Sequence, residues 1–319
     1  MKACYLILSH KNPQQIYRLI NTIKAASPDC YIILSHDSRN CDVDVSRLEK
    51  IPGVRVQFAT ADRGDFSLVE NYMSAVNWLV NNNIDFDWLI KLSAQDYPTK
   101  PISKIEYSLS NTEYDGFMEY FKVFSPESHW SIKEGSGRYL YRYKKFPLSL
   151  PKWLFSALKA TRIVNHLQKF FRIDFEYGIR FGFRPKPIFN SNFQCYGGLF
   201  FTILSRECIN YLYSFYHNNP HIVDYYKETL IPEESLIQTI LVNSRKFKFY
   251  NECKHYIDFS NSIHGHPKLL TENDLEVMTQ ENYYFARKFD LNSNSKILDI
   301  LDQEFANQHS KRFSKSSLN

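Results

Sequence analysis

Two adjacent carboxylates, Glu233 and Glu234, follow Pro232 at the start of an apolar run with helical spacing, IPEESLIQTILVNS. A carboxylate within reach of an acceptor hydroxyl can remove its proton, so this pair has the residue type that a general base requires. Acids in the first turn of a helix also cap it and interact favourably with its dipole. The residues alone favour capping, and a catalytic interpretation needs support from the rest of the chain.

The first half of the chain alternates short apolar segments with amphipathic ones. Short apolar or alternating runs predict strands, and apolar residues three and four apart predict helices. The predicted strands span 3–10, 31–37, 54–60 and 87–98, and the predicted helices span 12–26 and 66–82. This alternation predicts an α/β fold with a mostly parallel sheet covered on both faces.

Polar residues lie at or just beyond the carboxyl end of each of the four predicted strands. They form the groups Ser9, His10 and Lys11; Ser35, His36 and Asp37; Asp62, Arg63 and Gly64; and Ser93, Gln95 and Asp96. In such sheets a ligand binds beyond the carboxyl ends of the strands. A single polar group needs no functional explanation, because strands commonly end in polar residues. Four such groups at the same edge of the sheet make a ligand site as good an explanation as ordinary strand ends. The first half has neither a G-x-G-x-x-G loop nor a Walker sequence, which argues against a classical dinucleotide enzyme or P-loop ATPase.

The composition is that of a globular chain with many aromatic residues, 16% of 319. No stretch approaches the roughly twenty apolar residues that span a bilayer, and the N-terminal run is interpreted as a strand rather than a signal peptide. We therefore expect a cytoplasmic protein. The cysteines lack a C-x-x-C pair and are expected to be reduced and mostly buried. They are Cys4, Cys30, Cys41, Cys195, Cys208 and Cys253.

A basic segment interrupts the second half of the chain. Between Arg138 and Lys186 there are twelve Lys or Arg residues and two acids. Residues 151–172 within it have an apolar stripe and basic flanks, which predicts a helix that either lies on an anionic membrane or packs on its own domain. No nucleic-acid motif accompanies the charge, so we do not expect nucleic acid as a partner.

Downstream, YGGLFFTILSRECINYLYSFY predicts a strand and then a helix capped by Ser205, and a further helix is predicted over 231–244. No internal repeat or long linker interrupts the chain. We predict one Rossmann-like domain over 1–305, with a donor-binding half at about 1–130, a basic aromatic helical insertion at about 135–190, a catalytic and acceptor half at about 190–305, and a polar tail at 306–319.

Seven motifs occur along the chain in a fixed order. They are SHK (9–11), SHD (35–37), SAQDYP (93–98), LSR (204–206), PEES (232–235), HPK (266–268) and FARKFD (285–290). With these motifs the chain resembles the family of core-2/I-branching β-1,6-N-acetylglucosaminyltransferases and peptide O-xylosyltransferases, including its shorter bacterial members. The resemblance runs from residue 6 to about residue 290.

The resemblance implies a GT-A type glycosyltransferase fold, a UDP-sugar donor, an inverting reaction and no divalent metal or other cofactor. The sequence bears on the metal independently. A metal-dependent enzyme of this fold needs an Asp-x-Asp after a buried strand, but after the strand WLIKL only Asp96 follows. We therefore predict no metal site and expect cationic side chains to balance the diphosphate.

The resemblance also implies roles for individual residues. Glu234 is expected to be the general base, which leaves Glu233 as the cap. Lys288, with Arg287 beside it, and less securely Lys268, are expected to stabilise the leaving diphosphate. The expected donor-binding residues are Ser9, His10, Asp37, Asp62 and Arg63, and the candidates for contacts with the acceptor or the sugar are Asp96, Glu119, Trp130 and Tyr196.

The resulting prediction is a cytoplasmic, inverting, metal-independent glycosyltransferase of bacterial surface polysaccharide assembly, with a peripheral position on the inner face of the plasma membrane left open. Its acceptor is a glycan, with a polyprenyl-diphosphate-linked form left open, as are the sugar and the linkage. A catalytically silent sugar- or lipid-binding protein on the same fold is the main alternative. A nucleotidyltransferase is a third candidate, but its glycine-rich basic loop and acid pair are not evident.

Overall fold

A seven-stranded mixed sheet lies at the centre of the computed structural model, which describes residues 1–146, 165, 168–260 and 265–316. Its strands, in spatial order, are β13 (Phe249–Tyr250), β6 (Gly116–Met118), β12 (Thr202–Ser205), β4 (Trp88–Ser93), β1 (Ala3–Ser9), β2 (Tyr31–His36) and β3 (Val54–Phe58). Strand β12 runs antiparallel to both neighbours, and the other pairs are parallel. The predicted α/β fold with a mostly parallel sheet is confirmed.

Helices cover both faces of this sheet. They are α1 (Pro13–Ala26), α2 (Val45–Glu49), α3 (Ser67–Asn81), α4 (Ile102–Ser110), α5 (Ile132–Tyr139), α6 (Arg206–Asn218), α7 (Pro220–Lys227), α8 (Leu236–Ser244), α9 (Leu275–Met278) and α10 (Lys296–Ser316). Helix α1 begins where the Asn12 side chain accepts a hydrogen bond from Gln15 N, with Pro13 in the first turn. Helix α6 begins at the predicted cap, Ser205. Helix α10 runs into the stretch predicted as a polar tail.

Side chains of the central strands alternate between two cores, as the period of two requires. Ile7 and Ile90 lie in the core shared with α1, α4 and α10. Leu6 and Leu89 lie in the opposite core, shared with α3, α6 and α8. Lys91 follows Leu89 by two residues, so this lysine points to the second face although it lies within an apolar strand. All six cysteines are free and five are buried, which confirms that prediction.

The basic insertion contains β-structure that was not predicted. An antiparallel sheet joins β8 (Arg142–Phe146), β10 (Ile179–Phe183) and β9 (Phe171–Asp174). The prediction of a helix to residue 172 is wrong at its end, because Phe171 and Arg172 pair with β10 and these inter-strand hydrogen bonds override the helical spacing. Residues 151–164, 166 and 167 of the predicted helix lie outside the described residues.

Two small sheets lie outside the central sheet. One joins β5 (Asp96–Pro98), β15 (Phe285–Arg287) and β14 (His255–Ile257), and it places Arg287 opposite Asp96. The other joins β7 (Phe121–Lys122) and β11 (Tyr196–Gly197). The segment predicted as one helix over 231–244 is instead a 3₁₀ turn, Pro232–Glu234, followed by α8.

Candidate active site

A cavity of about 460 Å³ opens at the carboxyl ends of β1, β2 and β4. Its volume falls in the range of about 300–1,000 Å³ that is usual for small-molecule sites. All four predicted polar groups contribute to its lining, through Ser9, His10, Ser35, Asp37, Arg63, Ser93 and Gln95. The predicted convergence of the strand ends is therefore confirmed.

The 3₁₀ turn brings Glu233 and Glu234 into the lining of the same cavity. Two backbone hydrogen bonds with distant segments hold the turn in place. Ile231, which has a φ of 52°, donates its N–H to the carbonyl oxygen of Gly64 over 3.3 Å. Gly198 donates its N–H to the carbonyl oxygen of Glu234 over 2.9 Å. Backbone contacts with distant segments thus fix the position of both carboxylates.

Glu233 is buried, with 5% of its surface exposed. Its Oε1 accepts a hydrogen bond from Gly64 N over 3.3 Å, and its Oε2 has no partner among the described residues. Burial, together with the neighbouring charge of Glu234, raises the pKa of Glu233 to about 8. The expectation that Glu233 caps the helix is wrong, because its carboxylate bonds to Gly64 and α8 begins three residues later, at Leu236, with Ser235 in the cap position.

Glu234 keeps 30% of its side chain exposed. Its Oε2 accepts a hydrogen bond from Nη1 of Arg138 over 3.0 Å, and no described residue donates to its Oε1. Burial raises the pKa of Glu234, and the guanidinium of Arg138 opposes that effect. One carboxylate oxygen is therefore held in place, while the other is available to a molecule in the cavity.

Arg138 is itself fixed from two further sides. It donates to Glu134 over 2.6 Å, and its guanidinium lies 4.2 Å from the centroid of the Trp130 ring. A planar guanidinium stacks on an aromatic ring while its edge binds carboxylates. This arrangement makes Arg138 a positioning residue for Glu234.

Besides Lys91, three cationic side chains line the cavity. They are Arg63, Arg287 and Lys288. Arg63 donates to the carbonyl oxygen of Gly265 over 2.9 Å. Burial, with Lys11 and Arg287 nearby, lowers the pKa of Lys288, and the carboxylate of Asp290 offsets only part of that effect. The cluster is suited to a dianion such as a diphosphate.

Arg287 makes an ionic contact with a buried carboxylate. The carboxylate of Asp96 lies 3.5 Å from Nε of Arg287 and 3.6 Å from Nε2 of His255, and it accepts a hydrogen bond from Ser93 N over 2.7 Å. Burial lowers the pKa of His255, but the nearby carboxylate of Asp96 and the contact with Cys253 outweigh it and raise the pKa to about 9. Asp96 is fully buried, and its carboxylate holds the guanidinium of Arg287 in place.

One end of the cavity is built on β1 and β2. Asp37 is 3% exposed and accepts a hydrogen bond from Ala61 N over 3.1 Å. The Arg39 guanidinium donates hydrogen bonds to both carboxylate oxygens of Asp37. Hydrogen bonds from Arg39 hold the pKa of Asp37 well below its usual range. Ser9 Oγ and His36 Nδ1 share a hydrogen bond over 2.8 Å. These contacts leave an ionised carboxylate at a wall of the cavity.

A family model described as Core-2/I-Branching enzyme matches residues 4–283. The chain belongs to the Core-2/I-branching enzyme family. The resemblance inferred from the motifs is confirmed, and the mixed α/β sheet is the GT-A-like fold expected of that family.

Relatives of this Core-2/I-branching family chain have names that describe glycosyl transfer. Beta-glucuronosyltransferase GlcAT14B of Arabidopsis thaliana is 26% identical over 309 residues, covering 95% of this chain and 62% of the relative. Beta-glucuronosyltransferase GlcAT14A of the same plant is 24% identical over 246 residues, covering 76% and 48%. Xylosyltransferase oxt of Drosophila melanogaster is 23% identical over 344 residues, covering 96% and 34%. The chain thus spans between about a third and three fifths of the length of these relatives.

Not every residue assigned from the family motifs lines the cavity. Lys268 pairs with Asp274 over 2.8 Å and with Asp258 over 3.6 Å instead. Asp62 pairs with Arg39 over 2.8 Å, and the same guanidinium binds Asp37. The residues predicted to bind the acceptor or sugar, Asp96, Glu119, Trp130 and Tyr196, also lie outside the lining.

Three of those residues contact protein groups near Glu234. Glu119 Oε2 accepts a hydrogen bond from Leu199 N over 3.0 Å, next to the Gly198 that binds the Glu234 backbone. Trp130 supports Arg138, and Tyr196 packs edge-on against Tyr120. Their expected contacts with acceptor or sugar stay a prediction, and the described contacts are with protein.

Sequence reasoning did not single out Lys91, Arg138 or Arg39, and it misassigned Glu233. Of these only Lys91 carries a signal in the sequence, since a lysine within the buried run WLIKL must be accommodated by special packing.

Within the part of the chain that the structure describes, no group of three or more His, Cys, Asp or Glu residues could hold a metal. None of the described helices is long and apolar enough to cross a membrane.

Proposed function

We propose that this chain is an inverting glycosyltransferase that moves a sugar from a UDP-sugar to a hydroxyl of a glycan acceptor. The observation that carries the proposal is that Glu234 and the cations Arg63, Arg287 and Lys288 face one cavity. An in-line displacement at the anomeric carbon requires a base and a diphosphate site that face one space. The names of the relatives, which include glucuronosyl and xylosyl transfer, support the reaction class and leave the sugar open.

In the proposed reaction, Glu234 removes the proton of the acceptor hydroxyl through its unoccupied Oε1. The acceptor oxygen then forms a bond to the anomeric carbon while the bond from that carbon to the phosphate oxygen breaks. The electron pair of the broken bond leaves with the diphosphate, and Arg287 and Lys288 stabilise the charge that develops there. Arg138 keeps Glu234 oriented throughout.

The donor nucleoside is proposed to bind at Ser9, His10 and Asp37. Asp37 is ionised and offers acceptor oxygens to ribose or base donors, as expected for a carboxylate whose pKa is held low. Metal independence is part of the proposal. It is supported by the cations that line the cavity where the diphosphate would lie.

The acceptor and its setting are proposed more broadly, as a glycan of bacterial surface polysaccharide assembly. The described end of the basic insertion supports contact with an anionic membrane. Phe170, Phe171, Phe181 and Phe183 are exposed there beside basic residues, a composition that suits a lipid interface. A polyprenyl-linked acceptor would be presented at such a surface.

The experiment that tests the proposal is calorimetric titration with UDP and a panel of UDP-sugars, in EDTA and again in Mg²⁺ or Mn²⁺. We expect micromolar UDP binding that does not depend on the metal, and release of UDP from at least one donor. Binding of a UDP-sugar without turnover, over a range of glycan acceptors, would favour the catalytically silent binding protein. Failure to bind UDP under every condition would overturn the proposed donor site.

A further inference from the structure

Lys91 is a buried lysine in the lining of the cavity. It lies on β4, in the middle of the central sheet, with 3% of its surface exposed. Its Nζ lies 4.1 Å from the centroid of the Phe200 ring and 4.2 Å from that of the Phe201 ring, and both rings line the cavity with it. The proposed reaction gives this lysine no role.

The described residues give the ammonium of Lys91 no anionic partner. Within 1–146, 165, 168–260 and 265–316, no oxygen accepts a hydrogen bond from it, and no carboxylate oxygen lies within 4.0 Å of its nitrogen. Lys254, which is also buried and lies over the Tyr250 ring, has a carboxylate oxygen of Glu252 at 3.4 Å. Aromatic faces attract a cation but replace only part of its lost hydration, so Lys91 lacks acceptors.

Lys91 shares an aromatic ring with Arg287, one of the cations assigned to the diphosphate. The guanidinium carbon of Arg287 lies 4.6 Å from the centroid of the Phe201 ring. The two cationic groups are therefore no more than about 9 Å apart. A diphosphate has oxygens on two phosphorus atoms, and a charge-assisted hydrogen bond spans about 2.8 Å, so one diphosphate can accept hydrogen bonds from both groups.

The charge balance of the cavity also favours an anionic ligand at this place. Of the three carboxylates in the described lining, Asp37 pairs with Arg39 and Glu234 pairs with Arg138. Burial and the charge of Glu234 raise the pKa of the third, Glu233, to about 8, so it is mostly uncharged at neutral pH. Lys91 and the three other cations of the lining therefore face little free negative charge.

The protonation state of Lys91 depends on what the cavity holds. Burial lowers the pKa of Lys91 to about 7, the carboxylate of Asp96 opposes that effect, and the charge of Arg287 adds to it. Glu233 and Cys253 are the other titratable groups that act on the amine, and negative charge on either favours the ammonium. A diphosphate beside Lys91 would add negative charge, so its binding favours the protonated amine.

We propose that Lys91 is a ligand of the donor diphosphate, contributed by the central sheet, and that it takes up a proton from the solvent when the diphosphate binds. This inference rests on the proposed glycosyltransferase function. The proton forms an N–H bond at Nζ, and the ammonium then donates hydrogen bonds to phosphate oxygens. Lys91 thereby joins Arg287 and Lys288 in stabilising the charge that develops on the leaving group.

The first test compares uridine with UDP, which differ in the diphosphate alone. At pH 6.5, where most Lys91 is protonated, Lys91→Met should weaken UDP binding by at least about tenfold and uridine binding by less than about twofold. Lys254→Met removes the other buried lysine, outside the cavity lining, and should change both Kd values by less than about twofold. Thermal melting shows whether each variant folds.

The second test measures the proton. At pH 8, where the diphosphate is fully ionised because its second pKa is about 6, UDP is titrated in HEPES and in Tris, which differ in ionisation enthalpy. The wild-type protein should take up about half a proton or more per UDP beyond the uptake of Lys91→Met. Its advantage in UDP affinity over that variant should also shrink severalfold between pH 6.5 and pH 8, because protonation then opposes binding.

Equal UDP affinity of the wild-type protein and a folded Lys91→Met variant would overturn the inference. Equal loss of uridine and UDP binding would also overturn it, because Lys91 would then only support the structure of the site. If Lys91→Met does not fold, wild-type proton uptake that persists in Glu233→Gln supports the inference, and the absence of uptake overturns it. Failure of the wild-type protein to bind UDP would reject the proposed donor site and, with it, this role of Lys91.

Discussion

Arg138 donates a hydrogen bond to Oε2 of Glu234 over 3.0 Å, although 96 residues separate them in the chain. Burial alone would raise the pKa of this carboxyl further, and the adjacent guanidinium opposes that rise. The working state of the proposed base therefore depends on one ion pair.

Replacing this arginine should change the pH dependence of catalysis. Because a general base must be deprotonated, activity falls as the pH falls through the pKa of Glu234. In Arg138→Gln that pKa rises, so the acidic limb of the kcat profile should move to higher pH by about one unit or more. Arg206→Gln removes an arginine that pairs with Asp85 outside the cavity, and its profile should match the wild type. An unshifted limb in Arg138→Gln would contradict the account.

Glu233 should make folding stability depend on pH. Its pKa is about 8 in the folded protein and near the ordinary 4.5 when unfolded, so the folded state retains a proton that the unfolded state releases between these values. Stability therefore falls as the pH rises from about 4.5 to 8. Glu233→Gln should melt several degrees higher than wild type at pH 8.5 and at nearly the same temperature at pH 4.5. Glu113→Gln, an exposed control, should show no such difference, and identical pH profiles for all three proteins would rule out a buried protonated Glu233.

Two lysines from the same family motifs should differ in their effect on UDP. Lys288 lines the cavity, so Lys288→Met should weaken UDP binding by about tenfold, the loss expected for one charge-assisted hydrogen bond. Lys268 is held by Asp274 and Asp258, and Lys268→Met should change the Kd less than about twofold. Calorimetry in EDTA measures both. The reverse order of effects would assign the diphosphate to Lys268.

Gly198 should be intolerant of a side chain because its backbone is wedged between Glu119 and Glu234. A Cβ at this position would lie 2.0 Å from the carbonyl oxygen of Glu119, while the N–H bonds to the carbonyl of Glu234. Gly198→Ala should therefore lower both the melting temperature and kcat. Gly53→Ala, whose Cβ would lie 2.8 Å from the Cys30 carbonyl outside the cavity lining, should lower the melting temperature only. Wild-type kcat in folded Gly198→Ala would show that this contact does not position the base.

Much of the fold can be predicted from the sequence, because the local signals of the strands and helices agree with the tertiary structure. The strand ends at Ser9, Ser35 and Ser93 converge as their phase predicts, since parallel strands share one edge. The insertion is different. Phe171 and Arg172 fit a helical stripe, but pairing with β10 makes them a strand, and that partner is visible only in three dimensions.

The site was only partly predictable for a similar reason. The residue type and motif identify Glu234, but the state of its carboxyl depends on Arg138, and that contact carries no local signal. Glu233 looks like a helix cap until the 3₁₀ turn buries it against Gly64. Lys91 looks like an interruption of a core strand until Phe200 and Phe201 are seen to enclose it.

The central claim is that Glu234 is the base of a glycosyl transfer, and the most direct measurement is made on Glu234→Gln. The variant keeps the shape of the side chain and the contact with Arg138 while removing the basic oxygen. UDP release from the tightest-binding UDP-sugar should fall by about 10²-fold or more, while the calorimetric Kd for UDP stays within about threefold of wild type. Near-normal turnover by a folded Glu234→Gln protein would contradict the account.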